Sequence, residues 1–296
     1  MGDSWRLLPN WSMSKWIKRI PIPALGYFAG LDNILHRQVG DEPYVRYLLG
    51  ERFPKGWWYI SLVAFAVKTP LAELFLFLLA LLAVPAWLRT MRWRDLHLRW
   101  YLLFVPVICY LVASLISPSN VGERHLLPIY PFLFVLSAAI LLRGRIPRWR
   151  AAAVAIAGLG LIAETASIHP HYLAFFNALS GGPARGSEYL VESNLDWGQD
   201  LKKLKGYFDR QHISDACVSY FGYADLDYYH VPHRPLPPIP DAAAARQLHC
   251  VAAISVTYLV LSPDLYGGFY DLAPSARIGY SINVYDMRGG SNEGPP

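Results

Sequence analysis

Four apolar stretches between residues 70 and 168 constrain this chain most: Pro70–Leu88, Trp100–Ser117, Leu126–Leu142 and Trp149–Ile168. A helix needs about 20 mostly apolar residues to cross a bilayer. The first stretch carries one acid, Glu73, and the second and third carry no charge. The fourth is rich in alanine, with Glu164 near its end. Each reads as a membrane span. The run Trp57–Val67 is too short to span alone and reads as an interfacial helix or an extension of the first span. Trp57, Trp58 and Tyr59 suit a headgroup layer.

Charge supports two environments. Only 17% of residues are charged, below the roughly 25% of soluble domains. Residues 1–168 carry a net +9 and residues 169–296 a net −4. The arginines cluster in two loops, Arg89–Arg99 and Arg143–Arg150, whereas Pro118–His125 holds Arg124 as its one Lys or Arg. By the positive-inside rule both arginine loops face the cytoplasm. Residues 1–56, the Arg124 loop and everything after Ile168 then lie outside, around a membrane region spanning 57–168. The basic residues flank membrane spans, so nothing points to nucleic acid. No signal peptide or upstream span precedes the basic N-terminal segment, so further helices are expected ahead of Met1 or on another chain.

The segment 169–296 reads as a small extracytoplasmic α/β domain. Asp196 and Gln199 have the spacing of a capping box, opening a helix with Leu201, Leu204, Tyr207 and Phe208 on one face. Strand-like runs follow at Ala216–Phe221, Cys250–Leu261 and Ile278–Tyr285. Val231–Pro240 reads as a proline-rich loop. Three cysteines exclude a disulfide-rich fold. Cys217 and Cys250 could pair if the domain is periplasmic, or remain free. The fold class is therefore a mainly α-helical integral membrane protein with a C-terminal α/β domain.

Several strings in order carry a resemblance: PIPALGYFAGLDNILHRQVG, YLLGERFPKGWWY, VKTPL, ERHLLPIYPF, YLAFFNALSGGPARG, YLVESNLDWGQDLKKLK, AISVTYL and ARIGYSINVYDM. Together they resemble the C-terminal half of a GT-C superfamily glycosyltransferase using a polyprenyl-phosphate sugar. The branch includes protein O-mannosyltransferases and lipid A aminoarabinose transferases. The resemblance implies transfer of a sugar from a lipid phosphate to an acceptor on the outer face of the plasma (inner) membrane. It also implies an N-terminal helical half whose first outer loop supplies the catalytic Asp. That half has no counterpart among these strings, so the catalytic residues are unknown here and a second chain is an expected partner. Lipid-linked donor and membrane lipid are the other expected partners. No cofactor is identified, though the resemblance leaves room for a divalent metal.

A donor phosphate at membrane depth needs cations, and Arg is the strongest because it is bidentate and always charged. Arg124, His125 and Lys68 are the candidates; ordinary snorkelling of interfacial cations is the plainer reading. Glu123 is placed to hold Arg124 or to approach a sugar hydroxyl. Glu73 and Glu164 are expected to pair with a cation or line a polar cavity, because an unpaired carboxylate in a membrane is costly. His36, with Asp32 and Tyr44, belongs to an outer loop expected to cover the site. The Asp41–Glu42 pair reads mainly as a turn. Trp197 could stack on a sugar, beside Asp196, which capping alone would explain. His169 and His171 form an H-x-H pair without a third ligand. A non-catalytic scaffold or glycan-binding subunit is the alternative. A transporter is weaker, because the spans hold few charges and no paired broken helices.

Overall fold

The computed structural model describes residues 45–53, 57–90, 98–116, 122–142 and 146–288. A hairpin comes first: β1 (Arg46–Leu48) and β2 (Glu51–Phe53) pair antiparallel around Leu49 and Gly50. Both turn residues have positive φ, the conformation a two-residue hairpin loop favours. Leu48 anchors the hairpin in a cluster with Ile60, Ala64, Phe176 and Leu195.

Five helices follow: α1 (Ile60–Lys68), α2 (Leu71–Thr90), α3 (Leu98–Ile116), α4 (Tyr130–Leu141) and α5 (Arg148–Ile168). Among the described residues, α5 is the one helix long and apolar enough to cross a membrane. The α1–α2 pair passes the same test as one bent segment. Tyr101–Ile116 and Leu127–Leu141 are shorter apolar helical segments. The third apolar stretch departs from expectation. Its start is spent in two 3-10 turns, Glu123–His125 and Leu127–Ile129, and regular helix begins only at Tyr130. Pro128 and Pro131 lie in these first turns, where a missing N–H is tolerated. The bundle packs α2 against α4 and α5, and α3 against α4. Its outward side is apolar: Leu81, Leu82, Ile108, Ile116, Ile156, Leu159 and Ile162 are all more than half exposed.

Between α1 and α2 the chain turns through 113°, at Thr69–Pro70. Pro70 removes an N–H and disfavours helix at Thr69, so the last carbonyls of α1 and the first N–H groups of α2 need partners. Asn177 supplies most of them. Its amide Nδ2 donates to the carbonyls of Ala66 (2.7 Å) and Thr69 (2.9 Å), and its backbone N–H donates to Val67 (2.9 Å). From α5, the Glu164 carboxylate accepts from the Leu71 N–H at 3.1 Å, with the Ala72 N–H 3.5 Å away. Glu164 thus caps a neighbouring helix, where a negative charge is favoured.

After α5 ends at the His169–Pro170 turn, short 3-10 turns lead to α6 (Leu201–Arg210), β3 (Ala216–Ser219), β4 (Arg234–Pro235), α7 (Ala242–Arg246) and β5 (Val251–Ser255). Then come α8 (Val256–Leu261), α9 (Pro263–Tyr266), β6 (Ala276–Ile278) and β7 (Ile282–Asp286). The sheet order is β4-β3-β5-β7-β6. β4, β3 and β5 run parallel, and β7 is antiparallel to both β5 and β6. The sheet is buried on both faces, as parallel strands require. Val218, Val251, Ala253, Ile282 and Val284 pack with Leu201, Leu204 and Phe208 of α6. Cys217, Ala252, Ile254 and Tyr285 pack with Leu236, Leu259 and Phe269 on the other side. Residues from Val45 onward, bundle and sheet together, form one unit.

Three sequence expectations shift. Cys250–Leu261 is a strand followed by helix α8, an ambiguity that periodicity cannot resolve in a short apolar run. Ile278–Tyr285 is a hairpin, turned where Gly279 and Tyr280 both take positive φ. The proline-rich loop contributes β4 at the sheet edge, where proline is tolerated. Cys217 and Cys250 form a disulfide. Cys217 is in register with Ala252, so Cys250, two residues before it, lies on the same face.

Two outcomes are expected. Removing the disulfide by a Cys217→Ser/Cys250→Ser change should cost about 3–4 kcal/mol from the loop it closes. Thiol titration of the denatured, unreduced chain should find one free cysteine; three would contradict the pairing. Asn177→Ala should cost about 2–4 kcal/mol by stranding buried carbonyls, read as a lowered melting midpoint in detergent.

Candidate functional site

The bend brings the end of α1 against the outer domain and the loop ahead of α4. Lys68 Nζ donates to the carbonyls of Leu173 and Asn194, both at 2.7 Å, and lies 4.4 Å from the centre of the Phe176 ring. Sequence reasoning expected a free interfacial cation. Instead Lys68 is a cross-brace, with two of its three N–H bonds spent on the protein's own backbone.

Glu123 lies in the short turn after Gly122. Its backbone N–H donates to Asn194 Oδ1 at 3.1 Å. A side chain at Gly122 would run into that same Asn194 amide. One Glu123 carboxylate oxygen accepts from the Tyr130 hydroxyl, which also shares a hydrogen bond with Thr69 (2.6 Å). The other oxygen is buried without a hydrogen-bond partner. Burial raises this carboxyl, opposed by the Tyr130 bond and by Lys68. Glu123 therefore does not hold Arg124 through an ion pair. His125 is partly buried, and burial followed by the Arg124 charge lowers it. Glu73, in the first turn of α2, makes no ion pair with Lys68. Glu164 lines a small cavity of about 200 Å³ with Pro70, Ile168 and Tyr172.

Arg124 is exposed, and its guanidinium carbon lies 6.0 Å from the Trp197 ring centre. Two residues chosen separately from sequence are thus brought together. Trp197 is 41% exposed and sits 5.9 Å from Phe221 and 6.2 Å from Tyr223, which is 84% exposed. Phe221 in turn meets Tyr258 edge-on at 5.8 Å. Exposed rings in a continuous patch, beside an arginine, make a surface for stacking.

Asp196 does not cap α6, which starts only at Leu201 with Asp200 before it. Gly198 takes φ +76° and breaks the run into the helix. Its N–H donates to Asp196 Oδ1 (2.9 Å), and Gln199 Oε1 accepts from the Trp197 N–H (2.7 Å). Asp196 is fully buried. Burial pushes its carboxyl up to about 6, opposed by hydrogen bonds from the Gly198 amide and the Ser255 hydroxyl. Asp200, which sequence reasoning missed, is the better-satisfied acid. It accepts from Lys203 Nζ (2.8 Å) and Ser281 Oγ (2.8 Å). Lys203 also donates to His171 Nδ1 (2.9 Å), so α6, the β6–β7 turn and the exit from α5 meet at one carboxylate. His169 bonds Tyr172 instead (2.9 Å). Among the described residues no cluster of three or more His, Cys, Asp or Glu side chains is placed to hold a metal.

His36, Asp32, Tyr44 and the Asp41–Glu42 pair lie outside the described residues. Asn177, Phe221 and Tyr223 were also missed. A lone polar residue inside FFNAL was a usable signal for Asn177; nothing local marked the other two. Comparison with protein families, with curated proteins and with solved structures finds no match.

The Asp196 environment has a pH signature. Its folded-state pKa near 6 exceeds the unfolded value of about 3.9. The folded state therefore binds more protons, and stability falls as pH rises from about 4 to 6, then levels off. Relative to Asp196→Asn, the wild-type unfolding free energy should drop over this window by on the order of 1–2 kcal/mol, read from denaturant melts at each pH. A constant difference between the two across pH 4.5–7.5 would contradict the assignment.

Proposed function

We propose that this chain is part of a membrane glycosyltransferase, supplying donor-phosphate contacts and the outer domain. In this reading the four apolar helical segments span the plasma membrane. The exposed apolar side chains of the bundle favour lipid as their solvent. The Cys217–Cys250 disulfide favours an oxidising compartment for the sheet domain.

The observation that carries the proposal is Arg124 over Trp197. The guanidinium is the exposed cation of the ERH turn, and the indole offers a sugar-sized face beside it. A polyprenyl phosphate rising from the bilayer meets the guanidinium, which can bind two phosphate oxygens at once. The sugar then lies over Trp197. Transfer forms a bond from the acceptor oxygen to the sugar's anomeric carbon and breaks that carbon's bond to phosphate oxygen. The phosphate leaves as an anion held by Arg124, and the acceptor proton passes to a base. The resemblance assigns that base to the acidic loop of the family's helical half, which these strings do not include. Lys68 and Glu123 act here as supports: Lys68 fixes the 173–194 segment, and Glu123, through Tyr130 and Thr69, fixes the ERH turn against the bend.

A second reading, a non-catalytic glycan-binding subunit, is favoured by the same bracing. With Lys68 committed to carbonyls, Arg124 and His125 are the cations of the ERH turn left to meet phosphate. Labelled polyprenyl-phosphate sugar, titrated onto the full chain in nanodiscs, separates the two. Arg124→Ala should weaken donor binding about tenfold or more, the scale of a lost charge-assisted bond. Arg124→Lys should fall between, since lysine neither stacks nor bridges two oxygens in the same way. Equal binding by all three would contradict the site, and no donor binding by wild type would favour the subunit reading.

A further inference from the structure

The strand order leaves an opening away from Arg124. From β3 the chain leaves toward β4 on one side of the sheet; from β5 it leaves toward β7 and β6 on the other. Adjacent parallel strands whose onward connections diverge leave a crevice at their carboxyl ends, and in open α/β sheets ligands bind there. An open cavity of about 450 Å³ lies at this place. Ser219 is the last residue of β3 and Tyr220 follows it; Tyr258, Ser262, Leu265 and Tyr266 come from the segment after β5. The volume falls within the few hundred to about 1,000 Å³ typical of small-molecule sites.

The lining has one chemical character. It holds three tyrosine rings, two serine hydroxyls and no Lys, Arg, His, Asp or Glu. Ser219 Oγ and the Tyr266 hydroxyl share a hydrogen bond of 3.1 Å at the cavity wall. Hydroxyls donate and accept, and ring faces take C–H contacts. The set suits a neutral, hydroxyl-rich ligand and offers no cation to a phosphate or a carboxylate. Tyr258 also belongs to the aromatic strip through Phe221 and Trp197 to Arg124. Ring contacts therefore link the cavity wall to the candidate donor site.

We propose that this cavity binds a neutral carbohydrate, and that in the transfer reaction this carbohydrate is the acceptor. The acceptor role rests on the glycosyltransferase reading; carbohydrate binding itself does not. The test uses the full chain in nanodiscs and a panel of neutral gluco-, manno-, galacto- and N-acetylglucosamine oligosaccharides. An anionic galacturonate oligosaccharide serves as control, with binding read by saturation-transfer NMR. At least one neutral member should bind and the anionic control should not. Tyr266→Ala should weaken binding tenfold or more. Tyr266→Phe, which keeps the ring and loses the hydroxyl, should weaken it several-fold, and one free thiol per denatured, unreduced chain reports that each variant has folded. No binding by any neutral member overturns the proposal, as does binding that both folded Tyr266 variants retain. Oligosaccharide binding without donor binding would keep the cavity and remove the transfer reading. Donor binding without oligosaccharide binding would do the reverse.

Discussion

A helix that turns through 113° inside a packed bundle must find partners for the backbone groups it strands, and most of this architecture follows from how that is done. At the Thr69–Pro70 break, water is replaced by Asn177, which serves Ala66, Val67 and Thr69, and by Glu164, which serves the start of α2. Leaving such groups buried and unpaired costs about 1–3 kcal/mol each. The partners are remote in sequence, so the bend depends on the packing of α5 and of the segment after it. Lys68 extends the lock outward through the carbonyls of Leu173 and Asn194. Asn194 passes it on to the ERH turn.

This chain of contacts explains why Arg124 and Trp197 meet, though each belongs to a different part of the fold. Arg124 follows Glu123, whose N–H is held by Asn194; Trp197 lies three residues beyond Asn194 in a turn closed by Asp196 and Gln199. Of the polar groups expected to contact donor, Lys68 and Glu123 make hydrogen bonds within the protein. The exposed members, Arg124, Trp197 and Tyr223, remain for ligand.

Much of this was legible from residues alone. Apolar length located α2, α3 and α5 to within two residues of their observed ends. The Leu201–Leu204–Phe208 face of α6 followed from helical spacing. What stayed hidden depended on long-range partners. The α4 start was masked by an apolar run that continues through two 3-10 turns. α8 was masked because Val256–Leu261 is as apolar as the strand before it. The Cys217–Cys250 pairing required the β3–β5 register. Lys68 showed its charge but not its acceptors, because Leu173 and Asn194 are more than a hundred residues away.

The central claim is that donor phosphate and sugar sit where the ERH turn meets the Trp197 turn. A polyprenyl-phosphate sugar carrying a photoreactive group on the sugar, irradiated with the full chain in nanodiscs, tests it most directly. The account predicts label, mapped by peptide mass spectrometry, in the segments around residues 122–125 and 194–198, competed away by unlabelled donor. Competable label confined to other segments, or none at all, would contradict it.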